Sequence, residues 1–236
     1  MCTVSWLYHK TGYGLFFNRD EQKSRPKALV PAVFENPVGE HYLMPQDPQG
    51  KGTWMGVTEQ GISVCLLNFY QGNIPSGQLI SRGLLVRTLL EKTSHRAMLH
   101  YLSSVDCYQF APFTILIFDP QHTYPTGFCW TGDELKSIHV QSPYTSSGVD
   151  FPLVSEHRQA SFTQYFSSTD ALLDTQRLDD YHRSHLPEKS MLSVCMHRDD
   201  AQTVSLNKIQ VETDSIRYQY WDGSPCETPE SSTIEL

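Results

Sequence analysis

Met1-Cys2-Thr3-Val4-Ser5-Trp6 opens the chain, and Asn18-Arg19-Asp20-Glu21 closes its first apolar run. Residues 2–9 are rich in β-branched and aromatic side chains. Gly12 and Gly14 bracket a tight turn, and Tyr13 to Phe17 runs back, so the pattern predicts a β-hairpin. Such a hairpin returns position 18 to the neighbourhood of position 2 and sets Cys2 beside the charged tetrad. If Met1 is removed, Cys2 carries both a thiol nucleophile and a free α-amine that can act as its base. A free thiol titrates near ~8.5 and an α-amine near ~7.7–8.0, so the amine is a competent base close to neutral pH. Two plainer readings stand beside this one. Cys2 also suits an ordinary small strand residue, and Arg19 with Asp20 also suits a structural ion pair.

Outward from the hairpin, Ser24-Arg25-Pro26 leaves the sheet. Residues 27–50 hold Pro31, Pro37, Pro45 and Pro48, which predicts a surface loop and a rim for any site. Residues 53–58 and 62–68 predict a second hairpin about Gly61. Leu79 to Ser103 carries leucines at three-to-four spacing, interrupted at Thr93-Ser94, which predicts two helices with Ser94 capping the second. Phe113 to Phe118 predicts a buried strand, and Gly127 to Thr131 with Leu135 to Val140 a hairpin. Residues 142–152 predict a loop, Val154 to Phe166 a helix, Ser168 to Arg177 a short capped helix, and Leu178 to Lys189 a mobile loop. Met191 to Met196, Thr203 to Val211 and Ile216 to Trp221 predict closing strands. One domain over 1–222 and a frayed, flexible tail over 223–236 complete the expected organisation. Runs of strands separated by helical pairs point to an α+β domain, with two stacked sheets between helical layers.

Composition narrows the function classes. The formal net charge is −8, and no Lys/Arg cluster offsets it, which argues against a nucleic-acid partner. The apolar runs are of strand length and predict no membrane span. The start lacks a basic segment followed by a long apolar stretch, so no secretion signal is expected and a reducing cytoplasm is the simplest location. The six cysteines form no CxxC pair and the histidines show no ligand spacing, so no metal site and no cofactor are expected. Cys65, Cys129 and Cys195 read as small buried residues.

Several short motifs occur in order: Met1-Cys2, the tetrad followed by Ser24-Arg25-Pro26, Gly52-Thr53-Trp54-Met55-Gly56, Asn68 at a strand end, and Ser81-Arg82-Gly83 at a helix start. This set resembles the NRDE family, also called the transport and Golgi organisation protein 2 family, a branch of the N-terminal nucleophile hydrolase superfamily. The resemblance implies a four-layer αββα sandwich. Its closest pattern within the superfamily is that of the choloylglycine hydrolases and penicillin V acylases. By position it implies Cys2 as nucleophile, Arg19 biasing the thiol toward thiolate, and Asp20 holding the α-ammonium or the substrate amide. It implies Asn68 as the oxyanion donor, a role that competes with that of a strand-closing turn residue.

Asn18, Trp54, Arg82, Ser147 and Arg198 complete the expected binding set. Trp54 equally suits core packing, and His197-Arg198-Asp199-Asp200 equally suits a solvated turn. Those hydrolases use a second Asn on a later loop. The corresponding loop here, Tyr144 to Gly148, has none. Two functions follow. One is an amidohydrolase acting on a small non-peptide C–N bond through an acyl-enzyme on Cys2. The other is a non-catalytic binding or trafficking protein that takes a haem-like ligand. Oligomeric state is left open.

Overall fold

Cys2–His9 (β1) and Gly12–Gln22 (β2) form the predicted hairpin, with Cys2 opposite Arg19 and His9 opposite Gly12. The computed structural model describes residues 1–166 and 175–236. The remaining elements are Leu29–Glu35 (β3), His41–Gln46 (β4), Met55–Thr58 (β5), Ser63–Asn68 (β6), Arg82–Leu90 (α1), His95–Ser104 (α2), Phe113–Phe118 (β7), Thr126–Trp130 (β8) and Leu135–Ile138 (β9). They continue with Tyr144–Ser146 (β10), Phe151–Phe166 (α3), Thr175–Arg183 (α4), Ala201–Glu212 (β11), Ser215–Trp221 (β12) and Ser232–Glu235 (β13). Two antiparallel sheets result, in the orders β10-β1-β2-β11-β12-β13 and β3-β4-β5-β6-β7-β8-β9.

Side chains alternate across a strand, and that alternation builds the layers. Val4, Trp6, Leu15 and Phe17 point inward and meet Leu67, Leu116 and Phe118 of the second sheet in the central core. On the second sheet's outer face, Val64, Ile115 and Ile117 meet Leu85, Val86 and Leu89 of α1. On the first sheet's outer face, Phe16 and Leu206 meet Leu178 of α4. The α+β, αββα layering expected from the element order is therefore present.

Both helices of the leucine-rich region form. The Ser94 hydroxyl accepts from the Ala97 N–H at 3.2 Å, which ends the frustration of that first-turn donor. Gly52 and Gly83 let two backbones touch. A Cβ on Gly52 would lie 2.1 Å from the Gly83 carbonyl carbon, and the Thr53 N–H donates to the Gly83 carbonyl at 3.0 Å. The N-terminus of α1 is thereby held against the entry of β5.

Several expectations are corrected. Residues 27–50 carry β3 and β4 rather than a loop. β3 is an edge strand, and Pro31 falls where its register shifts, between Leu29 and Ala32, where a missing donor is tolerated. Residues 142–152 include β10, which pairs with β1 and sets Ser146 opposite Cys2. The expected mobile loop at 178–189 begins inside α4. Residues 191–196 lack strand pairing and run as a series of bends. The expected tail at 223–236 instead carries β13, with Tyr218 opposite Ile234. The predicted cap at Ser168 lies outside the described residues.

Candidate active site

Cys2 and Arg19 face each other across the β1–β2 ladder, and both point inward with Val4 and Phe17. At that end the two sheets part into an open cleft bordered by Cys2, Arg19, Trp54, Asn68 and Arg82. Cys2 is half-buried there. Arg19 is almost covered; its guanidinium carbon lies 4.3 Å from the centroid of the Trp54 ring. Trp54 packs as its plainer reading expects and also carries Arg19. Its ring packs in the central core, its face carries Arg19, and its buried Nε1–H has no acceptor within the protein.

Burial pushes the Cys2 thiol up. The chain-terminal ammonium, the Asp20 backbone N–H and Arg19 pull it down, and the Asp20 carboxylate pushes it up further. The α-ammonium here belongs to Met1. It donates to the Tyr70 hydroxyl at 3.4 Å and to the Asp20 backbone carbonyl at 3.5 Å. Asn68 donates its Nδ2 to the same Tyr70 hydroxyl at 3.0 Å. An amide nitrogen carries two hydrogens, so one remains for a ligand.

Asp20 departs from the expected geometry. One residue further along β2 than Arg19, it points to the opposite face of the sheet, toward α3. Its Oδ2 accepts from both terminal nitrogens of Arg158 at 3.3 Å, and its Oδ1 accepts from Thr203 Oγ1 at 2.7 Å. Burial pushes this carboxyl above the usual range, against the pull of Arg158, the chain-terminal ammonium and Thr203. The α-ammonium therefore meets the Asp20 carbonyl, while the carboxylate belongs to a buried pair with no exposed surface.

Asn18 shares that outer face and is no ligand group. It is fully buried; Nδ2 donates to the His182 and Val194 carbonyls, and Oδ1 accepts from His182 Nδ1. That bond places the His182 proton on Nδ1 and leaves Nε2 to accept from Ser5 Oγ at 2.7 Å. Ser147 lies outside the cleft. Its hydroxyl contacts Met1 Sδ at 2.7 Å and closes its own loop onto Val149. Arg198 borders a neighbouring groove beside Met1, on a turn where it pairs with Asp200 at 2.8 Å, as the plainer reading of that run expects. Arg82 does reach the cleft from the first turn of α1, where its NH1 donates to the Pro112 carbonyl at 2.9 Å. Burial pulls its guanidinium below the usual range.

Three residues at or beside the cleft, Arg25, Asp47 and Tyr70, were missed, as was Arg158 behind it on the outer face of the first sheet. Arg25 and Asp47 form an ion pair at 2.5 Å on the rim. Burial pushes the Asp47 carboxyl up, but hydrogen bonds from Arg25, Gln49 and Gly50 outweigh it and hold the carboxyl below its usual range. Arg25 belongs to a motif already in view, whereas Asp47 sat in a segment read as loop. Tyr70 bridges the chain terminus and Asn68. Arg158 has no sequence signal beyond an arginine on a helix. Among the described residues, two further clusters have donor atoms suited to a cation: His185, Cys195, His197 and Cys226, and the three-residue set His95, Asp119 and His122.

Two packed antiparallel sheets between helical pairs have the layering of the N-terminal nucleophile hydrolase fold. Solved structures with this fold bear that out. Penicillin V acylase from Agrobacterium tumefaciens matches over 100% of this chain and 86% of its own, at 10% identity and a TM-score of 0.58. Conjugated bile acid hydrolase from Clostridium perfringens matches over 99% and 92%, at 15% identity and 0.58. The N-acylethanolamine-hydrolyzing acid amidase ortholog of Caenorhabditis elegans matches over 100% of both chains, at 12% identity and 0.60. The chain belongs to the Transport and Golgi organisation 2 family, whose model matches residues 1–218. No curated protein matches by sequence.

Proposed function

We propose that this chain is a cysteine-dependent amidohydrolase that cleaves a small, non-peptide amide through an acyl-enzyme on Cys2. The observation that carries the reading is the half-buried Cys2 thiol in an open cleft, cross-strand from Arg19 and beside Asn68. Fold neighbours that are named as an acylase, a hydrolase and an amidase agree with it.

Removal of Met1 makes the Cys2 nitrogen an α-amine. That amine takes the thiol proton, and the thiolate attacks the substrate carbonyl carbon. The C–N bond breaks as the amine product takes a proton, leaving a thioester that water then hydrolyses. The same removal takes away the Met1 carbonyl, which accepts from the Asp20 N–H at 3.1 Å. That N–H, freed of its acceptor, then joins the second Asn68 hydrogen as a donor for the developing oxyanion. It takes the place of the absent second Asn. One such donor is worth roughly 3–4 kcal/mol of transition-state stabilisation. The Arg25–Asp47 pair at the rim narrows the cleft and favours a small substrate over a peptide.

Intact mass should show Met1 removed, and a thiol-reactive acyl probe should label Cys2. Hydrolysis of a panel of N-acyl amides should vanish in Cys2→Ala. Equal turnover by Cys2→Ala and the unsubstituted chain would rule the mechanism out. An unlabelled, inactive but folded and processed chain would favour the binding-protein reading.

A further inference from the structure

Four side chains that the Cys2 chemistry does not use converge on one point at the other side of the first sheet. His185 follows α4, Cys195 and His197 lie on the bend-rich segment before β11, and Cys226 lies in the turn after β12. Their donor atoms lie within 4.8 Å of one another. His185 Nε2 is 3.3 Å from His197 Nε2. Cys195 Sγ is 3.6 Å and Cys226 Sγ 3.3 Å from that same nitrogen.

Hydrogen bonding does not account for this arrangement. An imidazole nitrogen has either one proton or one lone pair in the ring plane, yet three donor atoms crowd His197 Nε2. A metal shell does account for it. With zinc–nitrogen bonds of about 2.0–2.1 Å and zinc–sulfur bonds of about 2.3 Å, tetrahedral ligands sit about 3.4 Å apart for two nitrogens and about 3.6 Å apart for nitrogen and sulfur. The three spacings that meet at His197 Nε2, 3.3, 3.6 and 3.3 Å, lie within about 0.3 Å of those edges, and the remaining donor atoms are within 4.8 Å of one another.

The surroundings suit it as well. Cys195 is buried and the other three are half-buried, so the point is close to the surface yet largely enclosed.

We propose that His185, Cys195, His197 and Cys226 bind one zinc ion in a closed, structural Cys₂His₂ site. Binding converts two thiols to thiolates and releases two protons to solvent, so the two negative charges balance the cation. With four protein ligands the site keeps no open position and has no catalytic part. Its effect is to staple the segment 184–197 to the turn at 224–228. That segment has few regular hydrogen bonds of its own, yet it supports β2 directly. Met196 and Thr203 exchange backbone and side-chain hydrogen bonds, Thr203 Oγ1 holds Asp20, and the Val194 carbonyl holds Asn18. The zinc site is thus tied through two residues to the strand that carries Arg19.

The full chain, purified under reducing conditions, is to be analysed by native mass spectrometry and, after metal exchange, by cobalt(II) absorption. The expected result is one zinc per chain, with cobalt(II) producing the intense visible bands of a tetrahedral site and thiolate-to-cobalt charge transfer. Cys226→Ser should lose the charge-transfer intensity in part, and Cys195→Ser/Cys226→Ser should lose it entirely. Cys107→Ser should keep it. The unsubstituted protein decides the question even if a variant does not fold. A reduced, folded chain that takes up neither zinc nor cobalt(II) at one equivalent would overturn the proposal. So would bands that persist in the double variant, or a Cys195–Cys226 disulfide recovered from the reduced protein.

Discussion

The two helix-on-sheet interfaces of this protein are built from opposite materials. Under α1 and α2 the contact is almost wholly apolar, with Leu85, Val86, Leu89 and Leu90 set against Val64 and Ile115. Among the described residues under α3 and α4, the buried apolar part is Phe16, Leu178, Leu206 and Trp221, with Leu7, Phe162 and Phe166 packed against it. The rest is a buried polar network in which Arg158 holds Asp20 and Thr3, and His182 holds Asn18 and Ser5. Apolar burial is non-directional, and each fully buried aliphatic side chain contributes roughly 1.5–3 kcal/mol wherever it fits. A buried polar group is directional, because each unpaired donor or acceptor carries its full desolvation penalty. The first interface therefore stabilises, whereas the second also positions. Its anchors are Thr3, Asn18 and Asp20, the chain neighbours of Cys2 and Arg19, so the outer face of the first sheet holds the cleft residues of its inner face in register.

The sharpest way to break this contrast is Arg158→Ala. It strands the Asp20 carboxyl in a dry interior, and we expect a loss of about 3–5 kcal/mol in urea unfolding, together with weaker probe labelling of Cys2. The double variant Arg158→Met/Asp20→Leu should lose less than the single one, because neither charge is then left unpaired.

Acid comes next. Burial, with help from Arg158 and Arg183, holds His182 down at about 3 instead of its ordinary 6.5. A depressed histidine contributes its stability in full above the unfolded value and loses it as pH falls, so the polar interface should weaken between pH 6.5 and about 3. The full span is on the order of 5 kcal/mol. Thermal unfolding across that range should show a slope that flattens in His182→Gln; an unchanged slope would remove His182 from the account.

On the apolar side, Leu89→Ala should cost about 3 kcal/mol through its cavity and leave Cys2 labelling untouched. Matching labelling losses in Leu89→Ala and Arg158→Ala would erase the distinction drawn here. Arg198→Ala, on an exposed turn outside the cleft, should change stability by less than about 0.5 kcal/mol and leave labelling unchanged.

The two interfaces also differ in how far they could be read in advance. Leucines at three-to-four spacing announce α1 and α2, and Ser94 marks the break between them. α3 carries no comparable stripe, since Arg158 and Ser161 share its buried face with Val154. Its existence could be read but not its purpose. Strands β3 and β4 were hidden by prolines, because proline content argues against regular structure unless the strand is known to lie at an edge. β10 was hidden by its shortness: three residues become a strand only because β1 is there to pair with them. In the candidate site, Cys2, Arg19, Trp54, Asn68 and Arg82 were legible and do come together. Asn18 was misplaced by one step of strand alternation, Ser147 and Arg198 lie outside the cleft, and Tyr70 and Asp47 offered no signal.

The sequence alone determined the β1–β2 hairpin, hence the facing of Cys2 and Arg19, and the apolar helical layer. Both are written in local periodicity, where a tight turn or a repeated spacing leaves one low-energy register. Only the tertiary structure decided that Asp20 turns away to Arg158, 138 positions further along, and that two histidines and two cysteines without any ligand spacing meet at one point. Such meetings depend on chain closures over long loops, where the partners share no period and are selected by the penalty for leaving a buried polar group alone.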